Sequence, residues 1–72
     1  MKTLHEYKGI DEYSNRTAIV VHDGNDYGVI YKIGSIEEHR IFPDHSIHYA
    51  EDAAENWVMG IINPKDLIVW TD

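Results

Sequence analysis

The sequence contains no cysteine, only two prolines and no long hydrophobic run. The lack of cysteine excludes disulfides, thiolate nucleophiles and cysteine-ligated zinc or iron–sulfur sites. Because small secreted domains generally rely on disulfides, a reducing, cytoplasmic setting is expected. The first residues lack the apolar core of a signal peptide, and no apolar run reaches the roughly 20 residues that span a bilayer. We therefore expect a cytoplasmic protein that does not enter a membrane.

Positive charge is also scarce, since six lysines and arginines stand against 13 aspartates and glutamates, for a formal net charge of −7. The excess is concentrated in residues 37–72, which carry eight anions and two cations, whereas residues 1–36 carry five and four. An acidic surface repels phosphate, so direct binding to nucleic acid or to anionic membranes is not expected. Such a surface attracts a basic protein, or it only keeps a small protein in solution.

A chain of 72 residues is long enough for one domain. Its core leaves little room for a cavity that encloses a substrate, because such pockets usually occupy roughly 300–1,000 Å³. The sequence also has no nucleophile elbow and no glycine-rich phosphate loop. We therefore expect a binding protein rather than an enzyme, with no catalytic residue and no cofactor.

A β-hairpin is the clearest structural feature. Thr17–His22 is rich in β-branched residues, and the extended pattern resumes over Tyr27–Ile33. The four residues between these runs, Asp23–Asp26, are turn formers and include a glycine. Glu38–Phe42 is predicted as a third strand, which Pro43 ends because proline has no N–H to donate to a neighbouring strand.

Both ends of the chain leave alternatives open. Apolar residues recur every three positions in the first 13 residues, which favours a short N-terminal helix, although Gly9 interrupts it. A short strand over Thr3–Lys8 followed by a turn fits nearly as well. Leu67–Trp70 is predicted as a final strand, and Trp70 either holds that strand to the sheet or contacts a partner.

Glu51–Gly60 has the strongest helical pattern. Its apolar stripe recurs at spacings of three and four residues and comprises Ala53, Ala54, Trp57, Val58 and Ile61. Trp57 is therefore expected in the core. Glu51 and Asp52 are placed in the first turn, at the positive end of the helix dipole, and the residues from Ile47 to Tyr49 before them are expected to be extended.

The order of these elements predicts one compact α+β domain over residues 1–72. An antiparallel three- to four-stranded sheet, a β-meander, carries one helix on one face. The edge strands of such a sheet have backbone groups free to pair with another chain. A structural or regulatory subunit that self-associates through a sheet edge or through Trp70, as a homodimer, is therefore one alternative function.

Five histidines are many for this length. His45 and His48, with Asp44 before them and Glu51 after them, resemble a set of metal ligands. In an extended segment, however, residues 45 and 48 point to opposite faces, so solvated histidines beside acidic residues are the preferred interpretation. A small His/carboxylate metal-binding protein or enzyme stays an alternative. Protonation of these histidines would partly neutralise the acidic surface and weaken partner binding below neutral pH.

The acidic stretch between residues 37 and 55 is the candidate site. It contains six anions and Arg40 as its only lysine or arginine. Carboxylates repeated on a rigid element can take the place of phosphates, and an aromatic residue among them can serve as a contact. The predicted partner-binding residues are Glu37, Glu38, Asp44, Tyr49, Glu51, Asp52 and Glu55. The expected partner is a nucleic-acid-handling protein with a basic surface, which this protein would inhibit.

The sequence also resembles small phage-encoded inhibitor proteins, including the anti-CRISPR proteins of type I systems. The resemblance rests on the strand segments Ala18–Val21 and Tyr27–Ile33 and on the tryptophan-bearing segment Glu51–Gly60, in a small acidic chain without cysteine. It implies binding to a CRISPR effector subunit and a block of guide-directed DNA recognition in the host cytoplasm. Anti-CRISPR proteins share no common signature, so the resemblance assigns no role to any single residue.

Overall fold

Four strands and one α-helix make up residues 1–62, the part of the chain that the computed structural model describes. The elements are β1 (Lys2–Lys8), a 3₁₀ turn (Asp11–Tyr13), β2 (Arg16–His22), β3 (Tyr27–Ile33), β4 (Ile36–Phe42) and α1 (Ile47–Val58). The strands form one antiparallel sheet in the order β1-β2-β3-β4, with α1 packed on it. The predicted α+β meander is thus confirmed, while the predicted strand Leu67–Trp70 lies outside the described residues.

The N-terminal segment is a strand, so the expectation of a helix there is wrong. β1 pairs with β2 from Lys2 to Lys8, and the pairing shifts by one residue between Thr3 and His5. This β-bulge brings both Leu4 and Tyr7 against the core. Their spacing of three residues therefore comes from the bulge rather than from a helical turn.

The predicted hairpin of β2 and β3 is confirmed, and the Asp23 side chain makes two of the hydrogen bonds that hold its loop. Asp23 Oδ1 accepts hydrogen bonds from the backbone N–H groups of Asn25 at 2.9 Å and Asp26 at 2.8 Å. The bond from Asp26, followed by that from Asn25, holds the pKa of Asp23 below its usual value. The carboxylate thus adds to the backbone bond from Asp23 N–H to Asp26 O at 3.1 Å, as turn-forming aspartates commonly do.

Helix α1 begins four residues earlier than the sequence pattern predicts. Ser46 is its extended N-cap, and Ile47 and Ala50 pack against the core, which prolongs the apolar stripe in the N-terminal direction. The expectation that the segment after residue 46 is extended is therefore wrong. The first turn contains no acidic residue, so Glu51 and Asp52 lie one turn beyond the positive end of the dipole, where the effect has largely faded.

The C-terminal end of α1 is fixed by Gly60, as predicted. Gly60 has φ of +79°, a conformation that favours glycine. Its N–H donates to Trp57 O at 3.2 Å, and the N–H of Ile61 donates to Asn56 O at 2.9 Å, which is the Schellman pattern. Since the chain turns away here, Ile61 is 65% exposed rather than part of the core stripe.

Trp57 is fully buried at the centre of the core, as predicted. Its ring meets that of Tyr31 edge-on at 5.3 Å, and its Nε1–H donates to Lys32 O at 3.1 Å. Small and branched residues surround these rings: Ala18, Val20, Val29, Ala50, Ala54 and Val58. Ala50 and Ala54 let the helix approach the central strands closely, because they add almost no side-chain volume between helix and sheet.

The sheet has two unlike faces. α1 packs on one face, and no element of residues 1–62 packs on the other, which we call the open face. Strand alternation places twelve residues there: Thr3, Glu6, Lys8, Thr17, Ile19, Val21, Gly28, Ile30, Lys32, Glu37, His39 and Ile41. Within the same residues no helix has the length and apolar character needed to cross a bilayer.

Candidate functional site

The structure divides the predicted partner-binding residues among three places. Glu37 lies on the open face, because the neighbouring Ile36 and the more distant Phe42 pack against the core on the helix side. Glu38 lies on the helix side of the edge strand β4. Asp44 and Tyr49 lie around the start of α1, and Glu51, Asp52 and Glu55 lie along it. The predicted site is therefore brought together only in its helical part.

Glu37 belongs to a local charge cluster on the open face. Its Oε2 is hydrogen-bonded to His39 Nε2 at 2.6 Å, and its Oε1 lies 3.6 Å from Lys32 Nζ. The hydrogen bond with His39, reinforced by Lys32, holds the pKa of Glu37 below its usual value. Glu37 is thus compensated by neighbours on its own face and does not add to the negative charge of the helix.

Glu38 is likewise accompanied by a cation. Its Oε1 lies 4.0 Å from Arg40 Nε on the same strand, and its side chain is about one-third exposed, at 32%. The residue opposite it in the sheet is the buried Tyr31. Glu38 therefore borders the core and is not part of the acidic surface of α1.

Three carboxylates on α1 form the strongest concentration of negative charge, which we call the acidic helix face: Glu51, Asp52 and Glu55. The helix contains no lysine or arginine, and among residues 1–62 no lysine or arginine forms an ion pair with these three. Their field reaches the sheet, since the pKa of Tyr7 is raised first by burial and then by Glu51, Glu55 and Asp52. The acidic helix face is therefore negative, and no lysine or arginine of residues 1–62 pairs with it.

Two histidines hold Glu51 in place. His5 Nε2 from β1 lies 3.3 Å from Glu51 Oε2, and His48 Nδ1, one turn earlier on the helix, lies 3.3 Å from Glu51 Oε1. The two contacts use both carboxylate oxygens, and the side chain is only 26% exposed. Glu51 thus joins α1 to β1, while Asp52 and Glu55 are left facing solvent.

The histidine pair predicted as a candidate metal-ligand set is separated by the helix start. His45 precedes the N-cap, whereas His48 lies in the first turn and faces Glu51. The prediction that this segment is extended is thus wrong, and the start of the helix is what separates the two histidines. In the described part of the chain, no group of three or more histidine, aspartate or glutamate side chains is arranged to hold a metal ion.

An aromatic corner at the beginning of α1 consists of Phe42, His45 and Tyr49. The rings of His45 and Tyr49 are stacked at 3.9 Å with an interplanar angle of 16°, and Phe42 meets Tyr49 edge-on at 5.0 Å. Tyr49 is 47% exposed. The turn before it contains Asp44 with φ of +65°, and the His45 N–H donates to Phe42 O at 3.3 Å.

Sequence reasoning found Tyr49 as a contact residue, named His45 only as a possible metal ligand and missed Phe42. The spacing of four between His45 and Tyr49 would have been informative only if the helix had been predicted to begin at residue 47. The contribution of Phe42 depends on the path of the turn that follows β4, which no local pattern specifies.

An open depression of about 270 Å³ connects the aromatic corner to the acidic helix face. It is lined by Tyr49, Asp52, Ala53, Asn56 and Ile62. An aromatic ring and a carboxylate thus border the same concave surface. A lysine or arginine side chain fits this combination, because its charged end can pair with the carboxylate while its stem packs on the ring.

A second depression of about 370 Å³ lies where the 3₁₀ turn meets the end of α1. Its lining was not predicted and comprises Lys8, Ile10, Asp11, Glu12, Tyr13, Val58 and Met59. Its lining combines one lysine, two carboxylates and a tyrosine with the apolar side chains of Ile10, Val58 and Met59.

Comparison of the chain with protein-family models, with curated protein sequences and with solved structures gives no match.

Proposed function

We propose that this protein is a small acidic binding protein that inhibits a nucleic-acid-handling protein by occupying its basic surface. The observation that carries the proposal is the acidic helix face, which has no lysine or arginine partner within residues 1–62. A surface of this kind gains favourable energy by meeting a basic protein surface, and it speeds the encounter through long-range attraction. A type I CRISPR effector is the specific partner class that we propose, following the resemblance to phage-encoded inhibitors.

The aromatic corner supplies the packing contact that a binding site needs besides charge. Binding energy at protein interfaces is concentrated in a few large side chains, with tyrosine prominent among them. Tyr49 is held by stacking on His45 and by its edge contact with Phe42, so little side-chain entropy is lost when it is covered. We therefore assign Tyr49 as the packing contact and Asp52 and Glu55 as the principal charges.

Glu37 and Glu38 take no part in this refined site, because each is accompanied by cations within its own strand pair. Glu51 has a supporting role, since both of its oxygens face histidines. Asp44 borders the aromatic corner and is exposed, so it adds charge at the end of the same surface.

The direct test is a DNA-binding assay with purified type I CRISPR effector complexes. The full chain is titrated into a mixture of effector and fluorescent target DNA, and bound DNA is measured by anisotropy. We expect loss of DNA binding as the chain occupies the effector. Unchanged DNA binding at saturating chain, across several type I effectors, would overturn the proposed partner class.

The site assignment is tested with the variant Asp52→Lys/Glu55→Lys. It should weaken inhibition at least about tenfold, mainly through slower association, because the steering charge is reversed. Glu55→Lys and Glu12→Lys form a matched pair, since they change net charge equally and only residue 55 lies on the acidic helix face. Equal effects of these two single variants would show that net charge, rather than this surface, governs binding.

A further inference from the structure

The open face carries a balanced set of charges around an apolar centre. Two lysines and two glutamates lie on it, so it has no net charge from these residues, whereas the chain as a whole carries −7. Ile19 and Ile30 lie side by side at its centre and are half-buried, while in the adjacent row Ile41 is 37% exposed and Val21 is already fully buried. The excess negative charge is therefore concentrated elsewhere in the molecule.

Two adjacent rows of paired residues on this face carry opposite signs of charge on β1. One row of paired residues runs from Lys8 on β1 through Thr17 and Lys32 to Glu37 on β4. The adjacent row on the same face runs from Glu6 on β1 through Ile19 and Ile30 to His39 on β4. Lys8 on β1 therefore has the anion Glu37 at the other edge of its row. Glu6 on β1 has the basic residue His39 at the other edge of its row.

We propose that the open face is a homodimer interface, with a two-fold axis that runs parallel to the strands between β2 and β3. This axis places β1 of one copy over β4 of the other and keeps each row facing the same row. Lys8 then faces Glu37 of the second copy, and Glu6 faces its His39. At the centre, Ile19 of each copy faces Ile30 of the other.

The packing geometry accommodates these pairs. Sheets stack about 10 Å apart, with strands aligned to within about 30°. The central isoleucines fill such a gap, while the lysine and glutamate side chains at the edges are long enough to reach across it despite the twist. A two-fold axis also makes every contact occur twice, as an isologous interface requires.

The size of the face predicts weak association. Four strands about 4.8 Å apart and seven residues long cover roughly 19 by 23 Å, so two copies bury somewhat less than about 1,200 Å², the lower end of the range for specific interfaces. We expect a dissociation constant in the micromolar range or weaker. The dimer leaves the two acidic helix faces outward on opposite sides, free to contact partners.

Pairing through the sheet edges is less favourable than pairing through the open face. The outer strands β1 and β4 carry charged residues along their length, and the bulge in β1 interrupts its regular backbone. Charges and bulges are the features that keep edge strands from pairing with other chains. The second copy is therefore placed on the face rather than on an edge.

The test uses two single variants, Lys8→Glu and Glu37→Lys, alone and mixed. Alone, each variant places like charges opposite each other twice per dimer, so dimerisation should weaken about tenfold. In an equal mixture, the new glutamate of one chain faces the new lysine of the other, while the natural Lys8 and Glu37 also meet. The mixture should therefore dimerise about as well as the wild type. Sedimentation over a wide concentration range measures each constant.

Two results would overturn the proposal. A wild-type chain that stays monomeric at millimolar concentration would show that the open face does not bind a second copy, whether another protein or the rest of the chain covers it. Dimerisation that the mixture fails to restore would show that the two copies meet in another arrangement. Circular dichroism and thermal unfolding establish that both variants are folded, and Ile30→Asp, which places charge at the centre, should abolish the dimer.

Discussion

Tyr31 links the stability of the fold to alkaline pH. It is buried beneath α1, and burial raises its pKa to about 12, against the lowering effect of Arg40. In the unfolded chain a tyrosine ionises near pH 10. Between these values the unfolded chain loses a proton that the folded chain retains, so stability is fully present below pH 10 and falls as pH rises.

The predicted loss is about 1 kcal/mol of unfolding free energy for each pH unit between 10 and 12. Urea unfolding at pH 8 and at pH 11 measures it. Tyr31→Phe should remove most of this dependence, because no phenol is then buried at that position. Equal pH dependence in Tyr31→Phe and the wild type would contradict the assignment.

Arg16 joins the end of α1 to the sheet through a single guanidinium group. Its Nη1 donates to Trp57 O at 3.1 Å and to Ile62 O at 3.0 Å. The same group lies 5.0 Å from the ring centre of Tyr13 and 4.9 Å from that of Trp57. Arg16 therefore satisfies one helix carbonyl and one carbonyl beyond the helix, places a favourable charge at the helix C-terminus and contacts two rings.

Arg16→Ala should destabilise the fold by about 2–3 kcal/mol, because two charge-assisted hydrogen bonds and both ring contacts are lost. Arg16→Lys should recover less than half of that loss, since an ammonium group lacks the planar surface that stacks on aromatic rings. Chemical denaturation of the two variants measures both values. A full recovery in the lysine variant would show that charge alone, rather than the guanidinium plane, stabilises this junction.

Among the elements, the β2–β3 hairpin was predictable because its signals are local. Alternating β-branched residues and a turn loop held by Asp23 lie within one continuous stretch from Arg16 to Ile33. The start of α1 and the bulge in β1 were not predictable in this way. Ile47 and Leu4 fit the core only after the sheet has formed, so tertiary packing rather than local pattern decides both places.

The candidate site was also only partly predictable from the sequence. Charge density along the sequence indicated the acidic stretch, and the helical period brought Glu51, Asp52 and Glu55 together. The pairing of Glu37 with Lys32, however, depends on the register between β3 and β4. Glu37 was included in the predicted site because it lies close to the helix in the sequence, but it faces the opposite side of the sheet.

Two glycine-to-alanine substitutions should separate the cost of backbone strain from the cost of a steric clash. Gly60 and Gly34 both have positive φ, +79° and +57°, but a methyl group at residue 60 would overlap the Tyr13 ring whereas at residue 34 it would meet open space. Gly34→Ala should thus cost about 1 kcal/mol, the backbone term alone. Gly60→Ala should cost at least about 1 kcal/mol more, as thermal or urea unfolding would show. Equal losses of stability in the two variants would mean that the Tyr13 ring moves aside at no energetic cost.

For the molecule as a whole, the two proposed interfaces lie on opposite sides of the sheet and differ in charge. The acidic helix face carries carboxylates that no lysine or arginine of residues 1–62 pairs with, whereas the open face carries equal numbers of lysines and glutamates. Salt screens interactions over a Debye length of about 10 Å at 0.1 M. Screening should therefore weaken attraction between the acidic helix face and a basic protein, while in the dimer it also reduces repulsion between two chains that each carry −7.

The two associations should consequently respond to salt in different directions. Raising ionic strength from about 0.03 M to about 0.3 M should weaken binding to a basic partner at least about tenfold. Self-association should stay constant or strengthen, because relief of net repulsion offsets the screening of the short Lys8–Glu37 contacts between copies. Sedimentation and partner binding measured in the same salt series decide this. A dimer that dissociates in parallel with the partner complex would mean that the acidic helix face, not the open face, holds the two copies together.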